Sequence, residues 1–232
     1  AGAPRYLGLD PQGREILTYI EGEVAGRPSP PWMAEDERAV SVARLVRAFD
    51  DSMVSFGIPD DLPTAAVTSP EPAGAEPLAE QPTFIGHRDI TPENVVFRDG
   101  AAVALIDFDL ARPSTRCEEV ANMLTWWAPW QPVDDRPVVL RDVDESRRAR
   151  LMVDAYGLGL ERDQLVEVSI QGAKVTWHTM KWRAENLGGG WARLWNEEDA
   201  GGSIKRREAW LHEHRQRLEA AVVEGFRLDG VS

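Results

Sequence analysis

Residues 84–112 contain His87, Arg88, Asp89, Asn94, Asp107 and Asp109, side chains able to bind a hard cation and move a proton. Two apolar runs, 94–97 and 103–106, flank Asp99-Gly100, a dipeptide that tight hairpin turns favour because both central positions need positive φ. If the turn pairs Arg98 with Ala101, Asn94 falls opposite Leu105, and Asp107 lies just past the open end of the hairpin. The loop 87–92 enters that same end and brings Asp89 with it. An amide and a carboxylate at one hairpin end suit Mg²⁺, which takes few protein oxygens and fills its octahedron with water and phosphate. A further carboxylate, not needed for the metal, can orient a hydroxyl and accept its proton. The plain alternative is that Asp89 and Asn94 cap a loop and Asp107 ends a strand. It accounts for each residue singly but not for their spacing.

The surrounding elements follow from periodicity and punctuation. Helices are expected over 34–56, 118–127, 142–156, 163–185 and 203–224. Pro129, Gly157 and Gly188-Gly189-Gly190 act as stops, and Ser203 is expected to cap the last helix. Residues 57–81, rich in proline, read as a surface loop returning the chain to the hairpin, and 113–116 as a short loop. Trp126, Trp127 and Trp130 are expected in the core and groove wall. His212 and His214, two apart on a helix, point apart and make a poor metal pair. Near the start, extended runs at 5–9 and 15–20 meet at a turn over 10–13. The pattern is α+β, with a short β start, one internal hairpin and a mostly helical body.

At 232 residues the chain can bury a core as one large domain or two small ones. Its single Cys117 excludes an internal disulfide framework. A net charge of −13 argues against nucleic acid and is compatible with a cationic substrate. No apolar run approaches the roughly 20 residues of a membrane helix, so no membrane partner and a cytoplasmic location are expected.

His87-Arg88-Asp89, four residues, Asn94, then Asp107-Phe108-Asp109 resembles the catalytic and metal loops of the protein-kinase-like superfamily. Pro92 before Glu93-Asn94, and the short step from Asn94 to Asp107, are most similar to the aminoglycoside phosphotransferase and choline kinase family. The resemblance implies a kinase-like fold that uses ATP and Mg²⁺, with Asp89 as base and Asn94 and Asp107 holding metal. It implies that backbone groups near Tyr19 and Ile20 meet the adenine, and that His87 and Arg88 stabilise the loop. Asp109 would support that loop or reach a second ion. Glu119-Val120-Ala121 is similar to the family's Asp-Val/Leu-Ala motif, in which the acid supports the catalytic loop. In the family the acceptor lies among the C-terminal helices, where Glu185, Glu197, Glu198 and Asp199 with Trp177 or Trp182 are available, so no single substrate-binding residue is assigned.

The family's glycine-rich loop has no counterpart, and the lysines, Lys174, Lys181 and Lys205, all follow the metal loop. Residues 1–24 are therefore expected to be a remnant of the ATP-covering lobe and hinge, and 25–232 a helical catalytic and substrate lobe. The remnant's exposed Leu7, Leu9, Ile16 and Ile20 are expected either to pair with a second copy in a homodimer or to be poorly ordered. Two functional readings follow: a small-molecule kinase, or a non-catalytic binding or self-associating relative.

Overall fold

In a computed structural model the described residues are 2–60 and 81–223. Most of the loop expected over 57–81, and Glu224 at the expected end of the last helix, lie outside them. The fold is α+β, and its helices are built around one buried face after another. Helix α1 (Asp36–Phe56) opens on Asp36 and Glu37, whose charge suits a helix N-terminus. It buries Ala39, Val42, Ala43 and Val46 and packs on the central hairpin and on α3 (Glu145–Tyr156). Asp144 caps α3, and Gly157 ends it in the left-handed conformation.

The hairpin consists of β4 (Val95–Arg98) and β5 (Ala101–Leu105), preceded in the chain by β1 (Tyr6–Leu9), β2 (Glu15–Leu17) and β3 (Phe84–Gly86). Asp99 and Gly100 adopt φ of 51° and 79°, the turn expected from the dipeptide, and Arg98 lies opposite Ala101. The register further along differs from expectation. An irregularity between Val96 and Phe97 puts Val95, not Asn94, opposite Leu105. Such a bulge adds one residue to one strand, which the alternation of apolar residues does not reveal. The Asn94 carbonyl instead accepts the Ile106 N–H at 3.0 Å, so Asn94 remains tied to the residue before Asp107.

Segment 113–116 is not simply a loop. β6 (Arg112–Ser114) pairs with β3, Gly86 opposite Arg112. Helix α2 (Arg116–Trp127) starts earlier than expected because Thr115 and Glu118 form a reciprocal capping box. α2 packs on α4 (Leu165–Asn186), which in turn packs on α6 (Ala200–Val223). Ser203 does not cap α6. It lies inside the helix, its N–H bonded to the Asp199 carbonyl. The three glycines do end α4, but Gly189 also begins α5 (Gly189–Asn196). Glycines disfavour a helix intrinsically, so packing decides here: Trp195 of α5 meets Trp177 at 5.5 Å and leaves no room for a Cβ on Gly201.

At the start, β1 and β2 pair as a hairpin, closed by the Asp10 carboxylate accepting the N–H groups of Gln12 and Arg14. Tyr6, Leu7, Leu9, Ile16 and Leu17 are all exposed, while Ile20 is only half so. The chain is then pinned to β4 by two hydrogen bonds between Glu23 and Phe97. No helix among the described residues is long and apolar enough to cross a membrane.

Asp50 on α1 is fully buried. The Tyr156 hydroxyl donates to its Oδ2 at 2.6 Å, and its Oδ1 has no partner among the described residues. Burial, then the nearby Glu119 charge, push its pKa up to about 8. A raised folded-state pKa contributes stability that is full below the ordinary carboxyl value and is lost as pH climbs toward 8. Asp50→Asn removes that loss. Its stability relative to wild type should rise by up to about 1.4 kcal/mol per pH unit between pH 5 and 7.5, read from urea unfolding.

Candidate active site

The loop between β3 and β4 is held from behind by Glu119, wholly buried in the first turn of α2. Its Oε2 accepts the His87 N–H at 2.9 Å and the Arg88 N–H at 3.3 Å, and its Oε1 accepts the Ser114 hydroxyl at 2.8 Å. Glutamate is one methylene longer than the aspartate of the similar motif, and it reaches the loop. Gly86 makes this approach feasible, since a Cβ there would stand 2.2 Å from Glu119 Oε1. Arg88 adopts φ of 64°, and its Nη1 pairs with Glu118 at 3.1 Å. Glu118 therefore caps α2 and anchors the loop together.

His87 joins the two halves of the site. Its Nε2 meets the Ile106 carbonyl at 3.0 Å, and its Nδ1 faces the Asp89 N–H at 3.3 Å. Those partners select the neutral tautomer with hydrogen on Nε2. Burial lowers the His87 pKa in the same sense. The ring packs 4.6 Å from Phe108. Sequence reasoning missed Asn122 and the role of Trp127. The Asn122 amide accepts the Ile90 N–H at 2.8 Å and donates to the Arg88 carbonyl at 3.2 Å. Trp127 is buried as expected, but its Nε1 also donates to the Ile90 carbonyl at 3.0 Å. Both residues lie one helical turn or two beyond Glu119, a spacing that could have flagged them.

Asp89 and Asn94 are brought together directly. Asn94 Nδ2 donates to the Asp89 carbonyl at 3.0 Å and to its Oδ2 at 2.9 Å. With its nitrogen committed to Asp89, the amide has its oxygen left to offer a cation. Asp107 is exposed at φ of 64°, a strained conformation for a residue other than glycine, immediately after Ile106. Its charge acts on both Asp89 and His87. Burial first, then Asp107, raise the Asp89 pKa to about 6. Asp109 is exposed, and among the described residues its side chain makes no hydrogen bond to the loop. Tyr19, 85% exposed, and Ile20 lie just ahead of the pinning point at Glu23. Their backbone groups make no hydrogen bonds among the described residues.

Most of the available C-terminal acids have basic neighbours. Glu198 pairs with Arg193 at 3.3 Å, Asp199 with Arg206 at 2.9 Å, and Glu185 lies near Lys181 at 3.9 Å, while Glu197 is exposed. Arg183 of α4 was not anticipated. It is 5% exposed, stacks 4.6 Å over Trp191, and its charge acts on Asp89.

Among the described residues no group of three His, Cys, Asp or Glu side chains is arranged to hold a metal ion. The donors at the hairpin end are instead an amide oxygen and carboxylates, a set suited to Mg²⁺ that brings water and phosphate with it. Chemically, the arrangement offers a half-buried carboxylate, oriented by an amide, beside a second, exposed carboxylate.

Residues 69–152 match the Phosphotransferase enzyme family, a span that includes every loop residue described above. The chain is also 31% identical over 240 residues to the trifolitoxin immunity protein of Rhizobium leguminosarum bv. trifolii, covering 96% of this chain and 82% of that relative.

Carboxyl NMR titration of the metal-free protein should give Asp89 a midpoint near 6. Asp107→Asn removes a repelling charge and should lower it. Arg183→Gln removes an attracting one and should raise it. Gly86→Ala forces Glu119 aside and should destabilise the fold by about 1–3 kcal/mol in chemical unfolding. Gly172→Ala, in open space on α4, should instead stabilise by about 0.5–1 kcal/mol.

Proposed function

The chain belongs to the phosphotransferase enzyme family, and on that footing we propose that it transfers the γ-phosphate of ATP to a hydroxyl of a small molecule. The observation that carries this reading is the Asp89–Asn94 pair, clamped at the hairpin end next to Asp107. Asp89 accepts the hydroxyl proton as the acceptor oxygen bonds to phosphorus and the bond to the β-phosphate oxygen breaks, releasing ADP. Asn94, through Oδ1, and Asp107 are the residues that would hold Mg²⁺. When bound, the ion supplies neutralisation of phosphate charge. The Asn94 amide keeps Asp89 pointed at the acceptor, and the His87 and Glu119 bonds fix the loop so that the base does not have to reorganise during transfer. The Tyr19–Ile20 backbone, open and next to the pinned hairpin, is where the adenine edge would pair.

The relative's name associates it with immunity to trifolitoxin. By analogy, the acceptor of this chain is a toxic molecule that phosphorylation inactivates. Self-protection and phosphoryl transfer are then one activity.

Calorimetry with ATP, with and without Mg²⁺, should show Mg²⁺-dependent binding in the wild-type protein. Asp89→Asn should bind Mg·ATP about as well but lose 10²-fold or more in ADP release with hydroxyl acceptors, about the size of a general-base contribution. Asp107→Asn should lose the Mg²⁺ dependence. If Mg·ATP produces neither heat nor a thermal shift, the chain is a non-catalytic relative.

A further inference from the structure

Three side chains of α2 grip the loop between β3 and β4 in chain order. Glu119 takes the His87 and Arg88 N–H groups, Asn122 takes the Arg88 carbonyl and the Ile90 N–H, and Trp127 takes the Ile90 carbonyl. Glu119 thus fixes the chain only as far as the Arg88 N–H, one residue short of the candidate base. Asp89 itself is flanked by two peptide units, and their four polar groups all have partners. The Asp89 N–H donates to His87 Nδ1 at 3.3 Å, and the Asp89 carbonyl accepts from Asn94 Nδ2 at 3.0 Å. The remaining two, the Arg88 carbonyl at 3.2 Å and the Ile90 N–H at 2.8 Å, both meet the Asn122 amide. His87 and Asn94 belong to the loop and its end, so they move with it. Asn122 stands on a helix packed against α1, α3 and α4 and holds the loop from outside.

The residue type suits the task. A carboxylate would accept from Ile90 but could not donate to the Arg88 carbonyl, whereas one planar amide does both. The backbone also shows what the hold resists. Arg88 stands at φ of 64°, a conformation that a residue with a side chain keeps only where its surroundings fix it. Relaxation of Arg88 would turn the peptide unit that follows and swing Asp89 with it.

We propose that Asn122 is a positioning residue for phosphoryl transfer: it clamps both peptide units of Asp89 and so aims the carboxylate at the acceptor hydroxyl. Its bonds are to backbone groups of the loop, and its effect on the reaction passes through Asp89. A base held in one orientation reaches the hydroxyl without a search, which is where the rate advantage arises. The inference rests on the kinase reading for the reaction, but the clamp itself is testable without nucleotide.

The test compares Asn122→Ala and Asn122→Asp with the wild-type protein by NMR and by kinetics, at pH 8 so that the new aspartate is ionised. A cooperative thermal transition in each variant shows that the fold is kept. In nucleotide-free protein both variants should shift the Asn94 side-chain NH2 signals and speed exchange of the Asp89 N–H by about 10-fold or more, although neither group touches Asn122. With Mg·ATP, and glycerol or water as the hydroxyl probe, kcat for ADP release should fall about 10²-fold while the KM for Mg·ATP stays within about 2-fold. In an Asp89→Asn background the same substitutions should cost no more than about 2-fold, because the group they misplace is already gone. Unchanged Asn94 signals and Asp89 exchange overturn the proposal, as does a loss of kcat that adds in full to that of Asp89→Asn. Wild-type kcat in Asn122→Asp also overturns it, because the Ile90 bond alone would then suffice. Should Asn122→Ala fail to fold, Asn122→Asp, nearly identical in size, decides the question. If the wild-type protein releases no ADP while the NMR changes persist, the kinase reading fails and the clamp stands.

Discussion

The Glu119 carboxylate is the contact on which the rest of the site depends. A carboxylate with no solvent is costly unless its oxygens are satisfied. Glu119 receives two loop N–H groups and a hydroxyl, and the same bonds that satisfy it fix the backbone of His87 and Arg88. Gly86 leaves the space, β6 supplies Ser114, and the capping box of Thr115 and Glu118 sets where the helix carrying Glu119 begins. The loop cannot move without stranding a buried acid. Asp50 belongs to the same accounting, for with Glu119 nearby it is driven toward its neutral form and the interior does not carry two adjacent negative charges.

From that anchor the order passes outward through His87. One ring nitrogen serves the Asp89 backbone, and the other serves Ile106, whose N–H is bonded to Asn94. The loop with the candidate base and the strand ends with the candidate metal donors thus form one closed circuit of hydrogen bonds. Asp89 and Asp107 then sit near enough to repel, and Asn94 and Arg183 partly offset that repulsion. In the proposed function, a carboxylate held in this balance is the group that would take the hydroxyl proton.

Much of this was legible in the chain. The turn dipeptide, the order of acid, amide and acid, the helices and the burial of Trp127 and Trp130 follow from local rules, and the structure agrees with them. The bulge at Val96–Phe97, the three-residue pair β3–β6, the start of α2 and the helix α5 do not. Short strands have too few residues to show a period. A helix that opens on glycines is held by the packing of its own Trp195 on Trp177 of α4 and Gly201 of α6.

The sequence by itself determined which groups could meet at the hairpin mouth, because the turn and a few residues of loop put Asp89, Asn94 and Asp107 at one end of the hairpin, while Glu119 from α2 fixes the loop that carries Asp89. Only the tertiary structure decided which distant charge acts on them. Arg183, whose charge acts on Asp89, lies 94 residues beyond it along the chain, at a buried position of α4. Its place in the fold depends on α4 packing against α2, a long-range fit of side chains that no local spacing encodes.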